Sequence, residues 1–249
     1  MELLQDRMPP LGDEQMDAAQ RAAAAELIAG PRKGVKGPFI PLLRSPELMA
    51  RLQKVGEYLR FESSLSPRLA EFATLIVARQ WTQQFEWFTH VPLALKVGVD
   101  PTTIEGLREG GRPARMSAEE TLVYDFGCEL TATQGVCHQT YDAAVKAFGE
   151  RRVIDLIGTV GYFTWISMVL NVAHTPPEKT AGVRARQPGS YAIGVVLVAR
   201  APLVGEAAVP QRRINPYRAQ ACRPAAGRSM IAIQIDRIAV PRSASSITD

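Results

Sequence analysis

The sequence predicts an all-α fold for most of the chain, and three observations support this prediction. The pairs Ser45-Pro46 and Ser66-Pro67 are typical of helix starts, because serine caps the first turn and proline suits its first position. Ser117 and Glu120 have the spacing of a capping box. Strand-like runs are confined to the C-terminal part of the chain. We therefore expect the residues before that part to be helical.

The individual helices follow from start and stop signals along the chain. The first is an Ala-rich segment with early acids, and glycines are expected to end several of the others. Residues 31–41 are rich in glycine and proline and are expected to form an extended connector. The predicted helices cover 14–29, 46 to about 61, 67–97 with a break near 80–82, 101 to about 109, 118 to about 133, 139–148 and 151–172.

The composition changes after Thr180, which divides the chain into three regions. Residues 182–249 carry ten arginines, no lysine and three acids, a net charge of +7, which leaves −3 for residues 1–181. The acidic part therefore shows no patch of the kind that binds nucleic acids. We expect an N-terminal helix and connector at 1–36, a helical domain at 37–180, and an Arg-rich extension at 181–249. The extension is irregular or weakly β, either a short appended element or a poorly ordered, non-native tail.

The segment 71–98 contains the side chains on which the functional hypothesis depends. Gln83, Glu86 and His90 are spaced i, i+3 and i+7, so in one helix they share a face. Aromatic residues surround them, and a carboxylate beside an imidazole in an apolar setting shifts pKa values toward working pH. In one straight helix Glu71 would lie about 22 Å from Glu86. A shared site therefore needs a chain break near 80–82 or a contribution from a neighbouring subunit.

This spacing resembles that of the carboxymuconolactone decarboxylase and alkylhydroperoxidase D-like superfamily. The peroxidase branch carries E-x11-C-x-x-C-x-x-x-H, and here Glu71, Gln83, Glu86 and His90 stand at its Glu, two Cys and His positions. The pattern Q-x-x-E-x-x-x-H is similar to the thiol-free, decarboxylase-like branch. The resemblance extends from about Gly37 to about Val172, through RSPELMARLQKVGEYLRFE, LSPRLAEFATLIVARQW, VYDFGCEL and FGERRVIDLIGTVGYFTWISMVLNV.

The resemblance implies an alkylhydroperoxidase D-like helical domain that assembles as a homo-oligomer, commonly a trimer or hexamer. It also implies a lyase that needs no cofactor and decarboxylates a γ-carboxymuconolactone or a related lactone or carboxylate. Glu71, Glu86 and His90 would be catalytic: Glu86 or His90 would protonate the dienolate, and Glu71 would tune His90. Gln83 would hydrogen-bond the lactone carbonyl, where charge develops.

Trp81, Trp87 and Arg79 complete the predicted substrate-binding set. The tryptophans are expected to be core or pocket wall, and Arg79, like His90, is a candidate partner for the buried carboxylate of Glu71. Each candidate also has a structural interpretation. A lone histidine on an apolar helix face is usually a core residue, but the motif around His90 favours a functional role. Glu71 also fits one half of a structural ion pair.

Two other functions stay open. One is the peroxide reduction of the same superfamily, although a thiolate attacks the peroxide there and positions 83 and 86 hold no cysteine. The other is a non-catalytic, oligomeric small-molecule-binding protein. The cysteines at 128, 137 and 222 have no C-x-x-C spacing, and the three histidines have no H-x-x-x-H spacing, so no metal site is expected.

We expect a cytoplasmic protein with a small-molecule substrate and no membrane or nucleic-acid partner. The first residues carry acids and prolines where a secretory signal has a basic end and an apolar run. The segment 156–177 has no charged residue and is long enough to span a bilayer. Its polar residues and small-residue interruptions favour a core helix, which the resemblance puts at a subunit interface.

Overall fold

The computed structural model describes residues 5–177, which form eight α-helices and one short 3-10 turn. No strand occurs in this part of the chain, which confirms the all-α prediction for it. The predicted extension at 181–249 lies outside the described residues. The helices are α1 (Ala18–Ala29), α2 (Phe39–Leu42), α3 (Pro46–Phe61), α4 (Pro67–Gln80), α5 (Gln84–Lys96), α6 (Pro101–Arg108), α7 (Ala118–Thr133) and α8 (His138–Ala173).

Most helix starts follow the capping signals in the sequence. The Ser66 side chain accepts a backbone hydrogen bond in the first turn of α4, and Ser117 and Glu120 form the predicted capping box of α7. α3 also begins where predicted, at Pro46, but the Ser45 side chain makes no capping hydrogen bond. Proline suits this start without a side-chain cap, because its fixed φ is already helical and it has no amide hydrogen that needs an acceptor.

Helix α4 forms the centre of the core. It packs against α5, α7 and α8, and every residue from Phe72 to Ala78 is buried. Burial on all sides contributes about 1.5–3 kcal/mol for each large apolar side chain. It also means that α4 cannot move without disrupting the core, so Glu71, next to this buried run, is held in a fixed position.

Helix α8 joins the two helices predicted at 139–148 and 151–172. Gly149 lies between them at a φ of +75°, a left-handed value that glycine tolerates, and the helix kinks there. Within residues 5–177, α8 is long and apolar enough to cross a membrane by length and composition. However, 56% of its most apolar window is buried inside the molecule, which agrees with the predicted core helix.

The N-terminal residues pack onto the helices that follow them. α1 packs against α3, and Leu27 of α1 is 1% exposed within the same hydrophobic core. The Arg7 amide donates a hydrogen bond of 2.8 Å to the Ala173 carbonyl at the end of α8. The residues before 37 therefore share one core with the predicted helical domain.

Candidate active site

The chain turns sharply between α4 and α5, at the predicted break. α4 ends at Gln80 and α5 begins at Gln84. Thr82 has a φ of +50°, and the Gln83 amide donates a 2.8 Å hydrogen bond to the Ala78 carbonyl, which closes the turn. The N-cap of α5 is Gln83, and Thr82 before it occupies the left-handed position of the turn. This turn folds α5 back against α4.

The turn brings Glu71 of α4 to His90 of α5. Glu71 Oε2 lies 2.6 Å from His90 Nδ1, and Glu86 Oε2 lies 3.3 Å from His90 Nε2. The exposed fraction is 3% for both His90 and Glu86, and 16% for the Glu71 side chain. The three predicted catalytic side chains therefore meet within one chain, and no second subunit is needed to supply Glu71.

The two carboxylates control the protonation of His90. Burial lowers the pKa of the imidazole, but the hydrogen bonds and negative charges of Glu71 and Glu86 outweigh burial and raise the pKa of His90 to about 9. The ring also packs in a T-shaped arrangement on Phe163, with the ring centroids 5.1 Å apart. At neutral pH His90 is therefore an oriented imidazolium with a carboxylate at each nitrogen, and it can act as a proton donor.

A cavity of about 330 Å³ opens beside this cluster. His90 and Glu86 line the cavity, whereas Glu71 lies outside the lining, behind the imidazole. Glu86 and the Nε2 side of His90 are thus the groups that can reach a bound molecule, and Glu71 orients the ring through Nδ1. The lining also includes five aromatic side chains, namely Phe39, Phe61, Phe85, Tyr162 and Phe163.

The connector before α2 and the end of α3 also line the cavity, and they add three cations: Arg32, Lys36 and Arg60. The sequence analysis predicts only an extended connector at 31–41, with no role at the cavity, and the extended structure is wrong for its last three residues, which belong to α2. A signal was nevertheless present, since Arg32, Lys33 and Lys36 form a basic cluster within a part of the chain whose net charge is −3. The cavity therefore combines an acidic cluster, basic side chains and an aromatic lining.

Gln83 has a structural role at the start of α5. Its Oε1 accepts a 2.6 Å hydrogen bond from the Phe85 amide, and its Nε2 donates a 2.8 Å hydrogen bond to Asn171 Oδ1 of α8. Asn171 Nδ2 in turn donates to the Trp81 carbonyl at 3.1 Å. Gln83 is 4% exposed and does not line the His90 cavity. The arrangement therefore gives no support to the predicted contact between Gln83 and a substrate carbonyl.

The other predicted substrate-binding residues, Trp81, Trp87 and Arg79, are also absent from the cavity lining. Trp87 is 7% exposed and belongs to the hydrophobic core, and Trp81 packs against that core. Arg79 Nε donates a 2.9 Å hydrogen bond to the Arg108 carbonyl, so it links the end of α4 to the end of α6. The structure thus separates these three residues from the cluster around His90.

Cys128 bears on the alternative of peroxide reduction. It is a free thiol in α7 and does not line the cavity. Burial, reinforced by the charge of Asp125 and opposed by a hydrogen bond with Tyr124, raises the pKa of Cys128 to about 11. Because the thiolate is the nucleophile, a thiol that stays protonated at neutral pH is poorly suited to attack a peroxide.

Searches against known protein families and against curated proteins found no match for this chain. The family resemblance therefore rests on the sequence motifs alone. The helical fold is compatible with that resemblance without identifying the family, because many unrelated proteins are all-α. The function has to be inferred from the side chains of the cavity.

Proposed function

We propose that this protein is a carbon–carbon lyase that decarboxylates a small lactone or carboxylate, in the manner of carboxymuconolactone decarboxylases. The observation that supports this proposal is the buried Glu71–His90–Glu86 cluster beside an aromatic cavity. The cavity volume of about 330 Å³ suits a small molecule. As the resemblance implies, the proposed reaction needs no cofactor. The cysteine pattern and the first residues favour a cytoplasmic location.

The proposed reaction needs one proton at carbon. Breaking the carbon–carbon bond to the carboxylate releases carbon dioxide and leaves the electron pair in a dienolate. His90 donates its Nε2 proton to the carbanionic carbon, and the imidazole is then reprotonated from solvent. The raised pKa of His90, about 9, keeps this proton available at neutral pH.

The carboxylates have different proposed roles. Glu71 holds Nδ1 at 2.6 Å, so the ring keeps its orientation throughout the proton transfer. Glu86 makes the longer contact, 3.3 Å to Nε2, on the side of the ring that lines the cavity. A weaker hydrogen bond at Nε2 leaves that proton free to move to a substrate, and Glu86 can afterwards take up a proton from solvent and pass it to the ring.

Peroxide reduction has less support than decarboxylation. Gln83 and Glu86 occupy the positions of the two reactive cysteines, and neither an amide nor a carboxylate can replace an attacking thiolate. The described thiol that could substitute, Cys128, does not line the cavity and has a raised pKa. A non-catalytic binding protein is the remaining alternative, and the experiment below separates it from an enzyme.

We further propose that the working form is a homo-oligomer. The residues 154, 157, 161, 168 and 172 of α8 are spaced so that they share one helical face, all are exposed, and all are apolar or glycine. A second copy of the chain would cover this face.

Light scattering on Ile154→Lys and on the exposed polar control Lys146→Ala tests the proposed homo-oligomer. We expect Ile154→Lys, but not Lys146→Ala, to form a smaller particle than the wild type. A monomeric wild type would contradict the proposal.

Turnover of γ-carboxymuconolactone, followed by ultraviolet absorbance, tests the lyase function. We expect wild-type activity, and a loss of about 10²–10⁴-fold in His90→Ala, because the proton donor is removed. Glu86→Gln is a second, nearly isosteric variant that should also be impaired. His138→Ala is the matched control, since His138 is an exposed histidine at the start of α8.

Each outcome has a distinct consequence. Equal turnover in wild type and in folded His90→Ala would contradict the role of His90 while supporting the reaction. Absence of turnover in the wild type would contradict the lactone substrate. Binding of the lactone without turnover would favour the non-catalytic binding protein. Turnover of hydroperoxide that disappears when all cysteines are replaced would favour the peroxidase.

A further inference from the structure

Arg32 is a cation that borders the cavity without an anionic partner. Its guanidinium carbon lies 4.5 Å from the centroid of the Phe39 ring, in a cation–π contact. Two of its nitrogens, Nε and Nη2, are buried from solvent and have no hydrogen-bond partner in the part of the chain that the structure describes. Arg32 also forms no salt bridge with any described residue. Buried guanidinium groups are normally paired, because an unsatisfied buried donor is costly.

The surroundings of Arg32 leave positive charge on this side of the cavity. Burial lowers the pKa of the Arg32 guanidinium, the neighbouring Tyr162 side chain raises it in part, and the charge of Arg60 lowers it further. Glu57 acts in the opposite sense, but its carboxylate is already paired with Lys54 at 3.5 Å. Arg32 and Arg60 both line the cavity, and an anion placed between their guanidinium groups would offset their repulsion.

Close packing holds the Arg32 side chain at this place. A Cβ atom at Gly56 of α3 would lie 2.1 Å from Tyr162 Oη and 2.7 Å from Arg32 Nη2. Both side chains therefore use the space that a larger residue at 56 would fill. With Phe39 against the guanidinium and Tyr162 beside it, Arg32 has little freedom to turn out into solvent.

We propose that Arg32 is the carboxylate-binding residue of the cavity and selects small anionic ligands with an apolar body. A planar guanidinium presents N–H donors in a fork that matches the two oxygens of a carboxylate, and the aromatic side chains surround the rest of the ligand. The His90 cluster, with two carboxylates around one imidazolium, carries a net negative charge and repels the ligand carboxylate. The two groups together orient the ligand, with its anionic end at Arg32.

This assignment deepens the proposed lyase function and rests on it for its catalytic meaning, but its test needs no turnover. Benzoate serves as the probe, because it combines a carboxylate with an apolar ring, and benzamide is its neutral counterpart of the same shape. Affinities are measured by titration calorimetry or by ligand-observed NMR. We expect benzoate to bind the wild type about tenfold or more tightly than benzamide does.

Three variants localise the binding. Arg32→Met should weaken benzoate binding about tenfold or more, and Arg32→Lys should fall between Arg32→Met and the wild type, because lysine keeps the charge but loses the planar fork. Lys33→Met is the matched control, since it removes an exposed cation of the same connector that does not line the cavity. We expect this variant to change the affinity less than about threefold, because the charge of Lys33 is exposed to solvent. A thermal melt verifies that each variant is folded.

Several results would overturn the assignment. They are an absence of benzoate binding to the wild type, equal binding of benzoate and benzamide, and unchanged binding in folded Arg32→Met. A loss in Lys33→Met as large as that in Arg32→Met would also overturn it. The result can be separated from that of the lyase assay. Arg32-dependent benzoate binding without lactone turnover would refute only the lyase, whereas lactone turnover with an unchanged KM in Arg32→Met would refute only the role of Arg32.

Discussion

Two charged groups at the cavity differ in how the chain satisfies them. At the α4–α5 hairpin, His90 lies between Glu71 and Glu86, so one cation is balanced by two carboxylates of the same chain. At the connector, Arg32 has buried nitrogens without a partner among the described residues, and Arg60 stands nearby. The first group is complete in the folded chain, whereas the second lacks its counter-charge. A complete cluster indicates a group that works by proton transfer, and an incomplete one indicates a place for a ligand.

The largest effect on stability is expected when His90, the cation between the two carboxylates, is removed. His90→Ala leaves two carboxylates close together in a buried site, and we expect a loss of roughly 3–5 kcal/mol in the free energy of unfolding at pH 7. Urea denaturation measures this loss. The double variant Glu71→Gln/His90→Ala should recover part of it, because one uncompensated charge is removed. A single variant within about 1 kcal/mol of wild type would contradict the pairing.

The pH dependence of stability tests the same cluster without a mutation. The folded pKa of His90, about 9, lies above the ordinary value of 6.5. A raised pKa means that the folded state binds the proton more tightly, so this contribution is fully present below about pH 6.5 and is lost as the pH rises through about 9. We expect a decrease of roughly 1–3 kcal/mol in unfolding free energy over this range. His90→Gln is the control and should lack the decrease, and a flat wild-type profile would refute the shift.

A smaller effect is expected at the turn that assembles the cluster. Gln83→Ala removes the side-chain cap of α5 and the bond to Asn171, and we expect a loss of about 1–2 kcal/mol in unfolding free energy. Because Glu71 and His90 are joined through this turn, the pH-dependent part of the stability should also shrink. Gln84→Ala, the adjacent residue of the same type, is the control. Equal stability of the two variants would show that the cap is dispensable.

The smallest effect on stability is expected for Arg32, the cation without an acidic partner. Arg32→Met removes a half-buried cation that has no acidic partner in residues 5–177 and keeps much of its apolar stem. We expect the free energy of unfolding without ligand to change by less than about 1 kcal/mol, or to rise slightly. The informative result is the difference in unfolding free energy between Arg32→Met and His90→Ala. A loss as large as that of His90→Ala would mean that Arg32 is a structural group rather than a ligand-binding one.

Much of the local structure could be predicted from the sequence. Capping signals predicted the starts of α4 and α7, since a cap depends on residues within one helical turn. Glu86 and His90 came together because four residues is slightly more than one turn. The break near 80–82 followed from distance, because one straight helix would keep Glu71 and Glu86 apart.

The role of Gln83 could not be predicted in the same way. Spacing alone puts it on the helical face of Glu86, but α5 begins one residue later, and the Gln83 side chain turns back to cap the helix. A helix boundary moves with tertiary packing, and Asn171, 88 residues away, supplies the bond that holds this side chain. A motif position therefore does not by itself assign a substrate contact.

The sequence by itself determined every described α-helix except α2, most of the helix boundaries, and the pairing of Glu86 with His90. Only the tertiary structure decided that Glu71 meets His90 within one chain, that Trp81, Trp87 and Arg79 lie away from the cavity lining, and that Arg32 borders the same cavity as His90. The physical reason is the distance along the chain over which each interaction acts. Helix signals act over a few residues, whereas a cavity forms where distant segments pack, and their relative positions depend on how the whole core is filled.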